Sequence, residues 1–314
     1  MGRSGSVLGR LYLEGRRVVR RLVIGNDAVD RSLGVLLRRF ERRFIGLSAV
    51  RRTVGDEGGV VRVDGLELGY RAEDLGVVAP LIMHGAYEPE TRDVVQAVLS
   101  SGSTFVDLGA HIGYFSLLAA RQVGRHGRVY AFEPVAETAN VLEENVKRND
   151  LMPPVQVVRR GIYERPAELT FALAEGSSVS NKMAAVAPSG DGTRTPAPTR
   201  TIAVTSLDAF FADETHRTVD LIKMDVEGAE LPAMRGMAEV SRANPNLKLI
   251  FEFHDQNLRQ LGLDPMQLFD QLNDLGFRRY VCLHRRPRPF RVPDDLAWLV
   301  ALSQKTNVNI LAEK

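Results

Sequence analysis

Four residues in one short segment have the types and spacing to hold a nucleoside. Residues 104–134 read TFVDLGAHIGYFSLLAARQVGRHGRVYAFEP. An apolar run ends in Asp107, a turn carrying Gly109 and Gly113 follows, and a second apolar run ends in Glu133. Glycine has no side chain, so the backbone of such a turn is free to approach a ligand. A carboxylate at the tip of the next strand can accept hydrogen bonds from both hydroxyls of a ribose. The pattern predicts a nucleoside-containing cofactor across the edge of a parallel sheet. The plainer alternative is a strand-to-helix turn capped by Asp107, with Glu133 a solvated strand-end charge.

The turn is GxxxG and lacks the GxGxxG spacing with which dinucleotide binders seat a pyrophosphate on a helix N-terminus. His111 stands in its middle and leaves less room for a diphosphate. S-adenosylmethionine, which has none, fits better, with Asp107 facing its ammonium directly or through water. An NAD(P)-dependent oxidoreductase is the rival enzyme class, and a non-catalytic cofactor-binding protein the rival outside enzymes.

A second group of chemical residues lies in VDLIKMDVEGAE, residues 219–230. An apolar strand there delivers Lys223, Asp225, Glu227 and Glu230 near the carboxyl edge of the sheet, where open α/β folds bind ligands. Asp225 is placed to orient cofactor or substrate, and Glu227 to serve as a base. The plainer reading, Lys223 paired with an acid and Glu230 in a helix first turn, is adopted for Glu230. In LIFEFH (249–254), Glu252 and His254 alternate with apolar residues at the next strand tip, and His254 is a further proton acceptor near neutral pH. Thr205 and Asp208 have capping-box spacing. No dedicated metal site is evident, although Asp225 with Glu227 could hold a hard cation weakly.

These residues need a scaffold, and the pattern supplies one. Val60–Val63 and Leu66–Tyr70 read as a hairpin about Asp64-Gly65. Pro89 opens a helix to about Ser100, with Glu88 and Glu90 in its favourable first turn. Strands are expected at 104–108, 128–133, 155–159, 168–174, 219–224, 247–253, 277–283 and 306–312. Helices are expected at 113–123, 136–149, 229–240 and 265–275. This alternation predicts a parallel sheet covered by helices on both faces. Residues 175–200, rich in Ser, Gly, Ala, Thr and Pro, read as a mobile loop able to act as a lid, or as a surface excursion. Trp298 is expected in the core.

The 314 residues hold one cysteine, Cys282, which excludes an internal disulfide and a cysteine-built metal cluster. No apolar run approaches the ~20 residues that span a bilayer, and no signal-peptide pattern is present. Met1-Gly2 with Ser6 fits a myristoylation pattern, which the Arg- and Gly-rich, bacterial-looking composition with only six lysines discounts. A cytoplasmic protein is expected, peripheral at the inner membrane face on one reading of its arm. Residues 1–52 contain 13 Arg, no Lys and 4 acids, a net +9 against +2 for the whole chain, leaving −7 for the remainder. Within 31–47, Leu33, Leu36, Leu37, Phe40, Phe44 and Leu47 have helical spacing, as one face of an arginine-rich helix. Such an arm packs its apolar stripe on the body or on a second subunit, or lies on an anionic membrane. Nucleic-acid binding is not expected, because no reader motif accompanies the arginines. The expected organisation is an arm over 1–52 and a catalytic domain over 53–314, with the hairpin at 60–70, a Rossmann-like core at 104–314 and the insert at 175–200.

With these motifs laid out, the chain resembles the FkbM-type methyltransferases, a family within the class I S-adenosylmethionine-dependent enzymes. The matching segments are HGAYEPET (84–91), FVDLGAHIGYFSLLAA (105–120), VYAFEP (129–134), VTSLDAFF (204–211), DLIKMDVEGAE (220–230) and IFEFH (250–254), spanning about residues 80–283. The resemblance implies a class I methyltransferase (Rossmann-like) α/β fold, a seven-stranded sheet with the last strand antiparallel. It also implies methyl transfer, commonly to a hydroxyl of a sugar or a secondary metabolite. Asp107, Gly109, Gly113 and Glu133 map onto the cofactor motif, and Asp225 and Glu227 onto the acidic motif beside the reaction centre. The family usually has asparagine where this chain has His111, which bears on that side chain's contact and not on the turn. For a hydroxyl acceptor a base is needed, and Glu227, Asp225 and His254 are the candidates, in that order.

Overall fold

The structure is a computed structural model that describes residues 58–172, 199–214 and 217–314. The arm at 1–52, its expected helices, and residues 175–198 of the expected insert lie outside the described residues.

β1 (Gly59–Val63) and β2 (Leu66–Tyr70) form the expected hairpin, closed by Asp64 and Gly65 at φ 49° and 74°. Helices α1 (Leu75–His84) and α2 (Pro89–Val98) precede β3 (Thr104–Leu108), α3 (Tyr114–Val123), β4 (Arg128–Phe132), α4 (Ala136–Arg148) and β5 (Val155–Val158). Short strands β6 (Gly161–Ile162), β7 (Ala167–Ala172) and β8 (Thr199–Thr205) come next, then α5 (Leu207–Asp213). The second half runs through β9 (Leu221–Met224), α6 (Glu230–Arg235), α7 (Ala238–Ala243), β10 (Lys248–Phe253), α8 (Asp255–Gln260) and α9 (Pro265–Asp274). It closes with β11 (Arg279–Leu283), β12 (Arg288–Phe290), α10 (Leu296–Ser303) and β13 (Val308–Glu313).

The main sheet has the order β12-β11-β13-β10-β9-β3-β4-β5. Strands β5, β4, β3, β9 and β10 are parallel, and the final strand β13 lies antiparallel between β10 and β11, as expected. The strand count differs from the expected seven, because β12 adds an eighth strand by pairing antiparallel with β11. Pro289 hides β12 from a sequence reading, yet proline is tolerated at an outer edge where its missing N–H costs no ladder bond. β6, β8 and β7 form a separate three-stranded sheet. The helix expected over 229–240 is two helices broken at Gly236. A Cβ there would stand 2.4 Å from the Tyr163 carbonyl oxygen, so only glycine admits that approach.

Alternation along the strands sorts the core into two layers. Val106, Leu108, Ile222, Met224 and Phe251 pack on one face, and Phe105, Leu221, Ile250 and Leu311 on the other. On the second face each strand turns polar toward one edge: Asp107 follows Phe105, Lys223 follows Leu221, Glu252 follows Ile250, and Asn309 precedes Leu311 on the reversed strand. The register sets Asp107 beside Lys223, and Glu252 beside Asn309. The chain leaves β3 toward β4 and β5 on one side, and later returns to β9 and β10 on the other. The β3/β9 boundary is therefore the switch point where such sheets open a crevice.

Candidate cofactor site and acidic edge

Backbone hydrogen bonds build the turn after β3. The N–H groups of Gly109 and Ala110 donate to the Phe132 carbonyl at 3.0 and 2.9 Å. Glu133, only 6% exposed, accepts from the His111 N–H at 3.1 Å and the Val135 N–H at 2.8 Å. Burial pushes the Glu133 carboxyl up to about 7 against the pull of those two N–H groups. Asn145 on α4 holds the turn from behind, its amide donating to Ile112 at 2.8 Å and to Gly69 of the hairpin at 2.9 Å.

The two glycines also have a packing role. Gly109 (φ +79°) has no room for a Cβ, which would stand 1.9 Å from the Asp225 carbonyl oxygen. At Gly113 (φ +94°) a Cβ would stand 2.3 Å from Leu142 Cδ1. The missing side chains seat the loop after β9 and helix α4 against the turn, and they permit left-handed backbone. Gly109 still lines the cleft, whereas Gly113 does not.

Behind the turn lies a buried row of charge. Asp107, 1% exposed, accepts from Ser116 Oγ at 2.6 Å through Oδ2, and its Oδ1 has no hydrogen-bond partner. Burial raises its pKa, and the Lys223 ammonium only partly offsets this. Lys223, 3% exposed, donates to Asp225 at 3.0 Å and lies 5.0 Å from the Phe115 ring centroid. Burial alone would lower the lysine, but Asp225, Glu88 and Asp107 together outweigh it and hold its pKa above the ordinary value. The ion pair between Lys223 and an acid, the plainer reading that the sequence does not favour for Asp225, is thus present at Asp225.

Glu227 lines the cleft from the turn after β9, in left-handed backbone at φ +52°. Buried Glu230 supports that turn, accepting from the Val226 and Gly228 N–H groups at 3.3 Å each. It opens α6 as expected, and burial raises it to about 7. His111 (φ +52°) also lines the cleft, with Nε2 3.5 Å from buried Asp74, and burial holds its pKa below the ordinary value. His254, expected as a base, is not brought to the cleft lining. Its Nδ1 accepts the Asn257 N–H at 3.3 Å and caps α8.

Three residues were not singled out for the site from sequence. Glu88, expected to complement a helix dipole, sits at φ 43° and accepts from Asn309 Nδ2 at 2.8 Å. Tyr87 lines the cleft and meets Tyr114 edge-on, with ring centroids 6.2 Å apart. Glu252 is pushed up to about 9 by burial and by Asp225, Glu230, Glu227 and Glu88. Its shared parity with Lys223 and Asp225 across β9 and β10 was the available signal. Among the described residues no group of three or more His, Cys, Asp or Glu is arranged to hold a metal ion.

One cleft joins these parts. It runs from Arg160, Ile162 and Ile202 past Glu133 and His111 to Asp107, Asp225 and Glu227, with Tyr87 as a wall. Its chemistry fits S-adenosylmethionine. Apolar side chains line the cleft together with the Glu133 carboxyl and with Asp107, whose Oδ1 has no hydrogen-bond partner and can accept one from a cationic donor.

The sheet order, the reversed last strand and the cleft at the switch point define a class I methyltransferase of Rossmann-like architecture. Residues 107–279, more than half of the chain, match the methyltransferase FkbM domain, and the chain belongs to that family. Methyltransferases of this family use S-adenosylmethionine. The chain is 28% identical over 246 residues to the AMB antimetabolite synthetase AmbE of Pseudomonas aeruginosa, covering 64% of this chain but only 11% of that protein. It is 30% identical over 231 residues to the methyltransferase sdnD of Sordaria araneosa, covering 66% of this chain and 84% of that one. Solved structures similar to it include a SAM-dependent O-methyltransferase of Thermotoga maritima, with 17% identity, TM-score 0.42, and coverage of 82% of this chain and 78% of that one.

Proposed function

We propose that this chain transfers a methyl group from S-adenosylmethionine to a hydroxyl oxygen of a sugar, glycan or secondary metabolite. The observation that carries this reading is that Glu133, after β4, and Asp225 and Glu227, after β9, line one cleft, with β3 between those two strands. When bound, the cofactor supplies an electrophilic methyl on a positively charged sulfur. Glu133 holds the ribose diol, Asp107 meets the ammonium, and the backbone and side chain of residues 109–111 line the path between. Gly113 acts indirectly by seating α4. Glu227 takes the acceptor's proton as the oxygen–methyl bond forms and the sulfur–methyl bond breaks. Asp225 comes second because its carboxylate already binds the Lys223 ammonium. His254 comes last because its Nδ1 lone pair is committed to the helix cap.

Mass-spectrometric comparison of metabolites and glycans from cells with and without the protein tests the reading. A mass increment of one methylene on a hydroxyl-bearing compound supports it, and methylation confined to nitrogen contradicts it. Glu227→Gln should depress turnover roughly 10²- to 10⁴-fold while S-adenosylhomocysteine affinity changes little. Equal loss of both would reassign Glu227 to binding or folding. Contact of residues 1–52 with an anionic membrane is a separate proposal, resting on their 13 arginines. Cosedimentation with anionic liposomes, with and without those residues, tests it.

A further inference from the structure

Beyond Asp225 the cleft is backed by more carboxyl groups than methyl transfer needs. Glu252 stands on β10, one residue past Phe251–Met224, the last pair of the parallel ladder, and so comes level with Asp225, the first residue after β9. Asn309 is its cross-strand partner on β13. The same Asn309 amide reaches across to Glu88, at 2.8 Å, and to Thr91, at 3.1 Å. Strands β10 and β13 and the turn before α2 therefore converge behind the edge of the cleft that Tyr87 and Asp225 line, although Glu252, Glu88 and Asn309 are not themselves in its lining. Tyr87, next to Glu88, walls the cleft there.

The charges facing Glu252 are one-sided. Asp225, Glu227 and Glu230 face it from the β9–α6 turn, and Glu88 and Tyr87 from the turn before α2; His254, the cap of α8, follows just past the end of its strand. Lys223 serves Asp225, Glu88 and Asp107, and among the described residues the largest influences on Glu252, its burial and four neighbouring acids, all raise its pKa. Carboxylates crowded in this way at low dielectric gain most from an incoming positive charge. The cofactor brings such a charge on its sulfur, and the demethylated product does not.

We propose that Glu252 and Glu88, behind Asp225, make this edge of the cleft a charge filter that favours the sulfonium cofactor over its uncharged thioether product. The inference rests on the assignment of S-adenosylmethionine as cofactor. The preference strengthens as pH rises toward 9, where Glu252 begins to ionise on its own. Because Glu252 keeps its proton near neutral pH, binding of the sulfonium is coupled to proton release, whereas binding of the thioether is not.

Isothermal titration calorimetry of the full chain with S-adenosylmethionine and with S-adenosylhomocysteine tests this without an acceptor. In wild type near pH 7.5, repeated in buffers of different ionisation enthalpy, S-adenosylmethionine should release more protons than S-adenosylhomocysteine. Glu252→Gln keeps the shape and hydrogen-bonding capacity but cannot ionise. It should lower the preference for S-adenosylmethionine roughly fivefold at pH 10, where Glu252 is ionised, the scale of one partly exposed charge pair, and by less than about twofold at pH 8, where its pKa of about 9 keeps it mostly protonated, while S-adenosylhomocysteine affinity stays within about twofold. Glu88→Gln should act in the same direction. Equal proton release for both ligands in wild type, or parallel loss of both affinities in the variants, overturns the filter and leaves the cofactor assignment standing. Failure of wild type to bind either ligand overturns both.

Discussion

Replacing Glu133 with Gln separates a ribose-binding carboxylate from one that only braces its own turn. In the structure Glu133 accepts two backbone N–H groups, from His111 at 3.1 Å and Val135 at 2.8 Å. A carboxylate has lone pairs left for both ribose hydroxyls, whereas an amide keeps one oxygen and turns an NH₂ toward donors. Hydrogen bonds to a charged group contribute about 1.5–3 kcal/mol each. Weakening one and losing another amounts to about 2 kcal/mol, or roughly 30-fold in affinity. The pH dependence sharpens the test. Burial puts this carboxyl at about 7, so it is roughly nine-tenths ionised at pH 8 and one-tenth at pH 6. Wild-type affinity for S-adenosylhomocysteine should therefore fall about tenfold from pH 8 to pH 6. The Gln variant should be flat, so the gap narrows from roughly 30-fold to roughly threefold. Calorimetric titration at three pH values, with melting curves to confirm folding, reads this directly. A gap that does not change with pH, or no gap, refutes the ribose role.

Three further outcomes are expected. Gly109→Ala must displace either the turn or the Asp225 backbone, because its Cβ would stand 1.9 Å from that carbonyl oxygen; a loss of about 2 kcal/mol or more in denaturant unfolding should accompany loss of S-adenosylhomocysteine binding. His254→Ala should cost about 1 kcal/mol of stability as a lost helix cap, with S-adenosylhomocysteine affinity unchanged by calorimetry; a collapse of turnover with stability intact would restore it as a base. Glu252→Gln should raise the melting temperature of the ligand-free protein at pH 8 and leave it unchanged near pH 4. The folded Glu252 holds its proton up to about 9 while the unfolded chain releases it near 4.5, so wild-type stability falls across that window as pH rises. Calorimetric melts that show the opposite slope contradict the burial of this carboxyl.

Sequence was most legible where an apolar run ends in a chemical residue. β3 with Asp107 near its end, β4 before Glu133 and β9 with Lys223 carry local signals, and the structure brings these residues to one sheet edge. Long-range pairings were not legible. Glu88 reads as a helix-dipole carboxylate, yet its partner Asn309 lies 221 residues away. The Thr205/Asp208 box is a similar case. Ser206 is the cap, accepting the Ala209 N–H at 3.1 Å, while Asp208 accepts the Val240 N–H at 2.9 Å from another helix. Helix α1 escaped notice because Pro80 lies inside it and its run of apolar residues shows no clear stripe. At Gly109 the glycine signal was legible, but the Asp225 carbonyl oxygen that fills the space of a Cβ was not. A one-dimensional reading sees that a side chain is missing and cannot see what occupies its place.

The most direct measurement is a crystal structure of the protein grown with S-adenosylhomocysteine. The expected result is the thioether in the cleft, with its ribose hydroxyls on Glu133, its ammonium toward Asp107 and its sulfur facing the Asp225–Glu227 edge. A cleft that excludes the ligand under saturating conditions, or a ligand bound with Glu133 and Asp107 out of reach, would contradict it.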